Sequence, residues 1–486
     1  MYGTVILMIL YALILPGCVL VQPTEPFSPV PVSEATRITA PAPSQPSPAK
    51  EEVVPEALTL ERSIDIALKN NPEVAATLWD VSAAGAKVDQ AKAARWPWLS
   101  YEGGYTKFLN SRPLYEARYN NQRRLFTKQQ SMGNVILKLP LFTGGRIINE
   151  IKAAELFRLA ETNRLSRTRD ELVYNVSSTF YAILSQEKVI ESVKFSLQAM
   201  QEQRQKMIKM VEVAKSARVD LLRTEVRVAD LEQSLEKETN LLEIQKRLLA
   251  NLIGLDFDKA QLKFAGKLVF EKVSYRPDQL VPKALEQRPD FTAAKERLES
   301  QARRVDVARA GHYPNLNLVG SYGYRGTGVY GVFDDRGQPL KPAKVPTGKS
   351  RGPFYDDDGQ IAMLVTLPLF EGGRISAKVR EEISALAAAQ ERLRKLNLQV
   401  RLEVETAILD VDSSSERVKA TAKAIEQARE SLRIETLKYN LGAGVITDVL
   451  DAQTALLLTE TTYYRVLADF HTALARLKLA VGGNLS

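Results

Sequence analysis

The sequence predicts an α+β membrane protein made of two copies of one unit, and three observations support this. The octapeptide Leu139-Pro-Leu-Phe-Thr-Gly-Gly-Arg146 recurs 228 positions later, with one residue changed, as Leu367-Pro-Leu-Phe-Glu-Gly-Gly-Arg374. Alternating apolar residues lead into each copy, which is typical of a β-strand with one apolar face. A long stretch without proline follows each copy, which is typical of a helix. Each unit therefore runs from strands through a Gly-Gly turn into a long helix.

The duplication extends beyond the octapeptide. Pro97 matches Pro314 at an offset of 217, whereas Pro140 matches Pro368 at an offset of 228. The extra residues fall in one loop of the second copy, where added length costs little free energy. The two halves are predicted to span residues 57–270 and 271–486.

The N-terminus carries an export signal. Val5 to Leu15 is an apolar run of 11 residues, too short to span a bilayer as a helix but suited to the core of a signal peptide. The run ends in Leu15-Pro-Gly-Cys18, which resembles the bacterial lipoprotein cleavage box. We therefore expect residues 1–17 to be removed and Cys18 to be lipidated; an ordinary signal peptide with an incidental cysteine is the alternative. Because residues 21–56 hold nine prolines, residues 18–56 are predicted to be an extended tether.

Four strand-like segments precede the helices in two pairs. In the second segment Val135, Leu137 and Leu139 alternate with more polar residues, and segments of roughly 10 residues with one apolar face are typical of membrane β-barrel strands. One such pair would fit a soluble sandwich, but two symmetric pairs behind an export signal favour a barrel. Four strands cannot close a barrel, because the smallest have about eight, so several chains must share one. The predicted strands are residues 97–108, 130–142, 314–326 and 359–370.

Two very long helices are predicted over residues 145–213 and 373–441. Apolar residues recur there every three or four positions, which indicates coiled-coil packing. Each helix is on the order of 100 Å long at about 1.5 Å per residue. The returning segments are about half as long, so each must be supplemented by the shorter helix that precedes the strands of its half.

Composition narrows the class of function. The chain has 66 Lys and Arg against 58 Asp and Glu, for a net charge of +8. Because the two signs interleave along the helices, they indicate solvated faces and not a nucleic-acid surface. One cysteine and two histidines are too few for a Cys/His metal site, a disulfide framework or a Cys-His nucleophile. With no nucleophile elbow or phosphate-binding loop either, we expect no enzymatic activity, no cofactor and no metal.

The duplicated strand–helix units resemble the TolC-type outer-membrane efflux proteins. The most specific match is Tyr439-Asn-Leu-Gly-Ala-Gly-Val-Ile-Thr-Asp-Val-Leu-Asp-Ala-Gln453, and the resemblance covers residues 57 to 483. It implies a homotrimer with a 12-stranded barrel in the outer membrane, four strands from each chain. A long α-helical coiled-coil barrel would continue it across the periplasm. The lipoprotein subgroup of the family would account for Cys18, and the implied partners are outer-membrane lipids, a periplasmic adaptor and an inner-membrane pump.

The resemblance also implies a periplasmic gate at the helix tips. Asp448 and Asp451 match the acidic ring of the family, and their i, i+3 spacing puts both on one helix face. A simple helix-dipole role for Asp448 is the alternative. Tyr439 matches a tyrosine that latches neighbouring helix pairs, and Asp220 occupies the first-half position equivalent to Asp448. Gly444 stands where the family has a basic latch residue, so we expect a different latch. The turns are predicted at Pro140, Gly144, Gly145, Pro368, Gly372 and Gly373 between strand and helix, and at Gly442 and Gly444 at the tip.

The predicted function is an outer-membrane exit duct that passively conducts substrates delivered by the pump through the adaptor. A coiled-coil lipoprotein of the cell envelope without a pore is the alternative, although a pure scaffold has no need of strands with one apolar face.

Overall fold

The computed structural model describes residues 58–113, 124–214, 216–255, 264–333 and 354–483. The predicted signal peptide, Cys18 and the tether lie outside the described residues. The first half contains α1 (Leu60–Asn70), α2 (Pro72–Ala93), β1 (Trp98–Pro113), β2 (Arg124–Phe142), α3 (Arg146–Glu212) and α4 (Arg218–Leu252). The second half contains α5 (Pro277–Gln287), α6 (Pro289–Arg309), β3 (Asn315–Phe333), β4 (Phe354–Thr366), α7 (Arg374–Asn440) and α8 (Ile446–Val481).

The four strands form one antiparallel sheet in the order β1-β2-β3-β4. The first half therefore joins the second through the pairing of β2 with β3, in which Val135 lies opposite Tyr322 and Leu137 opposite Gly320. Within the described residues β1 and β4 each pair on one side only. The sheet thus has two open edges.

The helices form a single wall beside this sheet. The long helix α3 packs against α2 and α4 on one flank and against α6 and α8 on the other, and α7 packs against α6 and α8. Two short helices therefore lie end to end next to each long one, as the sequence predicted. The predicted α+β fold is confirmed.

Short elements cover the middle of the wall in both halves. Phe180 and Ile183 of α3 are buried with Ile66 of α1 and with Leu249 and Ile253 of the α4 terminus. In the second half α5 lies in the same way over Val404, Ile408 and Val411 of α7. We call these elements, α1, α5 and residues 264–276, the equatorial layer. They bury the widest apolar stripe of each long helix.

The two halves close the ends of α4 and α8 with different chemistry at equivalent positions. The Asn71 Nδ2 donates to the Leu252 carbonyl at 2.9 Å, whereas the Arg288 Nη1 donates to the Ala480 carbonyl at 3.2 Å. Arg288 is 1% exposed and also pairs at 2.6 Å with Asp290 and Glu403. A buried guanidinium needs such partners, because an unpaired buried charge is strongly destabilising.

The observed element bounds differ from the predicted ones mainly in the strands. β1 continues to Pro113 and β3 to Phe333, while β2 begins at Arg124 and β4 at Phe354. The alternation of apolar residues weakens in these outer parts, so the sequence pattern underestimated their length. β4 ends at Thr366 and not at residue 370, whereas β2 continues through Pro140, the equivalent of Pro368, to Phe142. The long helices begin and end within one residue of the predicted bounds.

The strand–helix turns suggest a matched pair of substitutions. Gly144 and Gly372 both have a left-handed φ, at +61° and +60°. A Cβ on Gly144 would lie 2.6 Å from the Tyr313 Cβ and 3.0 Å from the Ala310 carbonyl, whereas one on Gly372 meets nothing within 4 Å. Both Gly→Ala variants should lose roughly 1–2 kcal/mol to backbone strain, and Gly144→Ala about 1–3 kcal/mol more from the steric clash. Thermal unfolding followed by circular dichroism would measure the difference, and equal losses would contradict it.

Candidate functional site

The helix tips, where α3 turns into α4 and α7 turns into α8, hold the residues that the sequence singled out. In the second half Gly442 has a left-handed φ of +75°. A Cβ on Gly444 would come within 3.2 Å of the Tyr439 nitrogen. The second-half turn therefore depends on the space and conformational freedom that these two glycines supply.

The first-half tip makes the same turn without glycine. Ala214, the position equivalent to Gly442, has a φ of +53° and is the single non-glycine residue with a positive φ among those described. An alanine in this conformation costs roughly 1–2 kcal/mol. The sequence predicted a tip turn at Gly442 and Gly444 but none for the first half, where no glycine marks the turn. Aligning residue 214 with residue 442 would have predicted it.

Tyr439 connects the two tips within one chain. It lies near the end of α7, and its hydroxyl donates a hydrogen bond to the Met207 sulfur of α3 at 3.4 Å. The Ser216 hydroxyl, in the turn after α3, donates to the Asp220 Oδ2 at 3.3 Å. Burial raises the pKa of Tyr439, and the nearby charge of Asp220 raises it further, against an opposing hydrogen bond with Ser216. The phenol therefore stays neutral and able to donate a hydrogen bond.

The structure therefore brings Tyr439 and Asp220 together, as a latch would require. Met207 and Ser216 belong to the same cluster, and the sequence analysis missed both. Met207 follows the apolar periodicity of α3 and could have been found by its position opposite the tip. Ser216 carries no comparable signal, because its role depends on the path of the turn.

Asp448 and Asp451 lie apart from this cluster. Both are exposed in the first two turns of α8, whereas Ile446, Val449 and Leu450 on the neighbouring face are buried against Met207 of α3. The apolar face of α8 is thus anchored to the first half, and its carboxylates are left facing away from that contact. The helix-dipole alternative fits Asp448, in the first turn, better than Asp451, since the dipole effect weakens beyond that turn.

The strand–helix turns hold the remaining predicted residues. Pro140 lies within β2 opposite Asn317, and Pro368 follows the end of β4. Gly145 and Gly373 precede the long helices with φ of +84° and +85°. Together with Gly144 and Gly372 they redirect the chain from sheet to helix in both halves.

Within the part of the chain that the structure describes, no group of three or more His, Cys, Asp and Glu side chains is arranged to hold a metal ion. None of the described helices is both long and apolar enough to span a bilayer.

Comparison with known proteins defines the class. The family model for the outer membrane efflux protein matches residues 63–255 and 280–483. Outer membrane protein OprJ of Pseudomonas aeruginosa is 26% identical over 436 residues, covering 87% of this chain and 84% of that protein. The alkaline protease secretion protein AprF of the same organism is 23% identical over 439 residues, covering 88% and 85%. The solved structure of the outer membrane protein VceC from Vibrio cholerae superimposes with a TM-score of 0.72 at 21% identity, covering 88% of this chain and 97% of that one.

The protein is an outer-membrane component of an efflux or secretion system. It belongs to the outer membrane efflux protein family, whose model matches most of the chain. It is located in the outer membrane and extends into the periplasm. The family is one of efflux ducts and not of enzymes, and membership favours the predicted duct over a coiled-coil scaffold without a pore.

Proposed function

We propose that three copies of this chain close one 12-stranded barrel, which opens into a tunnel of helices through the periplasm. The observation that carries this proposal is the four-stranded sheet with open edges at β1 and β4. Unpaired backbone groups at a sheet edge are costly in a membrane. Pairing of β4 with β1 of the next chain removes them, and three copies supply enough strands for a barrel.

The two faces of the sheet support a barrel that holds water. The register places Tyr101, Val135, Tyr322 and Ile361 on one face, where Ile361 is 84% exposed in the single chain. Such a face fits lipid. The opposite face carries most of the polar side chains, among them Ser100, Glu102, Thr106, Gln130, Asn134, Lys138, Ser321, Arg325 and Gln360.

The helical wall has open flanks on the same two sides as the sheet. The exposed leucines of α7 include Leu402 and Leu409, at 65% and 68%. On α4, Val226 and Ile244 are 62% and 61% exposed and lie across the helix from the residues that pack on α3. We propose that α7 of one chain packs against α2 and α4 of the next, in the same direction around the trimer as β4 against β1.

Substitution of the α7 flank tests the trimer. Leu402→Asp with Leu409→Asp should prevent trimer formation, because each buried leucine contributes about 1.5–3 kcal/mol and a buried charge adds a further penalty. Phe195→Asp is the control, since Phe195 is 73% exposed on the central helix α3. The trimer fraction would be measured by light scattering of detergent-extracted protein. A double variant that stays fully trimeric, or a control that dissociates equally, would refute the proposed interface.

We further propose that the tips form the gate. In a trimer Asp448 and Asp451 supply six carboxylates near the axis, which attract cations and repel anions. Tyr439 and Asp220, joined through Ser216, hold the end of α7 against the first-half tip and so resist opening. The two pairs have separate tasks: the carboxylates set the charge of the aperture, and the latch sets its width.

The two tasks predict different results in planar-bilayer recordings. Asp448→Asn with Asp451→Asn should lower the cation-to-anion permeability ratio by roughly tenfold, since a ring potential of about one kT per unit charge acts with opposite sign on cations and anions. Block by polyvalent cations should weaken with it. Tyr439→Phe should raise the resting conductance and leave the ratio unchanged. Should the double variant retain its cation selectivity, the acidic ring lies elsewhere and Asp448 has only the helix-dipole role.

We propose that residues 1–17 are a signal peptide and that Cys18 becomes the lipidated N-terminus, tethered by residues 18–56 to the duplicated halves 57–270 and 271–486. Cys18→Ser should abolish fatty-acid labelling of the mature protein. Transport should fall only partly, since the barrel also inserts into the membrane. Metabolic labelling with a palmitate analogue would measure this, and mature protein that keeps residues 1–17 would refute it.

The proposed partners are a periplasmic adaptor at the tips and an inner-membrane pump that supplies the energy. This chain needs no catalytic step of its own, because it provides only the path. The two tips differ in backbone chemistry, with Ala214 in one turn and Gly442 and Gly444 in the other, so we propose that the adaptor contacts the two tips differently.

A further inference from the structure

Cationic side chains meet near the junction of sheet and helices. A groove of about 570 Å³ lies between α2, α3 and α6, and its lining includes Lys87, Arg146, Glu150, Phe157 and Arg304. The Lys87 ammonium lies 5.3 Å from the centre of the Phe157 ring, and the aromatic face stabilises that cation. Three cations thus share one concave surface with a single carboxylate.

The duplication repeats this arrangement in both halves. Lys87 of α2 and Arg304 of α6 are equivalent at the offset of 217, and Arg146 and Arg374 are equivalent at the offset of 228. Both halves therefore place a cation at the same two positions, even though most neighbouring residues differ. We call these four residues the cationic belt.

The carboxylates nearby neutralise only part of the belt. Glu150 lies 3.7 Å from Arg146, and Glu371 pairs with Arg374. Lys87 and Arg304 are both exposed, and neither forms an ion pair among the described residues, although the charge of Arg304 helps to lower the pKa of Glu382. Each chain therefore contributes two cations that are not locked in an ion pair, with Glu382 offsetting part of the charge of Arg304. The helix dipoles add little, because α3 and α7 begin at this level while α2 and α6 end there.

Helix geometry places the belt on the side of the wall opposite the equatorial layer. Arg146 and Phe157 precede Phe180, which contacts that layer, by several turns of α3. At 3.5 to 3.6 residues per turn their side chains point about 100–180° away from that of Phe180. Arg374 stands in the same relation to Ile408 of α7. The belt and the equatorial layer thus occupy different faces.

The equatorial layer must lie outside the tunnel if the protein conducts. Twelve helical columns spaced about 9 Å apart form a ring roughly 35 Å across between axes, with about 25 Å of free interior. Six further helices, each about 10 Å wide, would fill that interior. The face that carries the belt is therefore the inner one.

We infer that the cationic belt lines the tunnel just below the barrel and makes this part of the path favourable to anions, so that the cargo class includes small solutes bearing carboxylate or phosphate groups. This inference rests on the proposed duct. Lys87 and Arg304 of three chains place six cations that form no ion pair among the described residues around the axis, at the far end of the helices from the acidic tips. A solute thus meets a negative ring at the tip and a positive ring at the barrel junction.

The test uses full-length trimers in planar bilayers with a gradient of about 0.1 M potassium chloride, at which the Debye length is about 10 Å. The intact belt and the belt variant are compared twice, once with the wild-type tip and once with Asp448→Asn and Asp451→Asn. The second comparison prevents the acidic tip from masking the belt. Lys87→Gln with Arg304→Gln should lower the chloride-to-potassium permeability ratio by roughly threefold, equivalent to about half a kT per unit charge acting with opposite sign on the two ions. The difference should shrink at about 1 M salt, where the Debye length is near 3 Å.

Two controls separate charge from structure. Lys87→Arg with Arg304→Lys keeps the charges and should keep the ratio. Arg394→Gln removes a cation from the face of α7 that carries Ile408, which is the outer face of the wall. The Arg394 side chain is 76% exposed there, and its loss should also leave the ratio unchanged. Conducting channels in which the belt variant has the wild-type ratio would overturn the belt alone. A trimer with an intact belt that conducts no ions, with either the wild-type or the Asn-substituted tip, would overturn the duct as well.

Discussion

The structure depends on the two open edges of its sheet. A strand in lipid cannot leave its backbone groups unpaired, because no water is available to satisfy them. The described residues of one chain supply four strands, which are too few to curl into a barrel. The chain therefore requires copies of itself, and its helices must follow the same rotation because each strand pair continues directly into a long helix through a Gly-Gly turn. The apolar flank of α7 and the exposed face of α4 are consistent with that requirement.

Duplication supplies two equivalent halves, but the equivalent positions have different chemistry. Asn71 and Arg288 both donate to the end of a returning helix, yet only Arg288 brings a buried charge with two carboxylate partners. Ala214 adopts at one tip the conformation that Gly442 adopts at the other. The end of α8 is thus held by a charged residue with two ion pairs and the end of α4 by a neutral amide. The turn at the second-half tip is unstrained, and the turn at the first-half tip is strained.

Charge is distributed along the helices in a way that suits a path for solutes. Many charged residues lie in i, i+3 or i, i+4 pairs on exposed faces, such as Lys438 with Glu435 and Arg433 with Glu430, and contribute little to stability. Two groups of charges outside such pairs lie at the two ends of the helical wall. The exposed aspartates of α8 occupy one end, and Lys87 and Arg304 the other, with no ion pair in the described residues. Unpaired charges act at longer range than paired ones and can therefore influence a passing ion.

The sequence by itself determined the α+β class, the duplication, the long helices and their turns, because these follow from local periodicity and from residues with special backbone conformations. It also identified Tyr439 and Asp220 as candidates before any contact was known. Tertiary structure decided what depends on the meeting of distant segments. It brought Met207 and Ser216 to Tyr439, joined β2 to β3, extended the strands beyond their regular alternation, and gathered Lys87, Arg146 and Arg304 into one groove. Those residues are far apart in the chain and no local pattern connects them, so only the packing of α2, α3 and α6 could place them together.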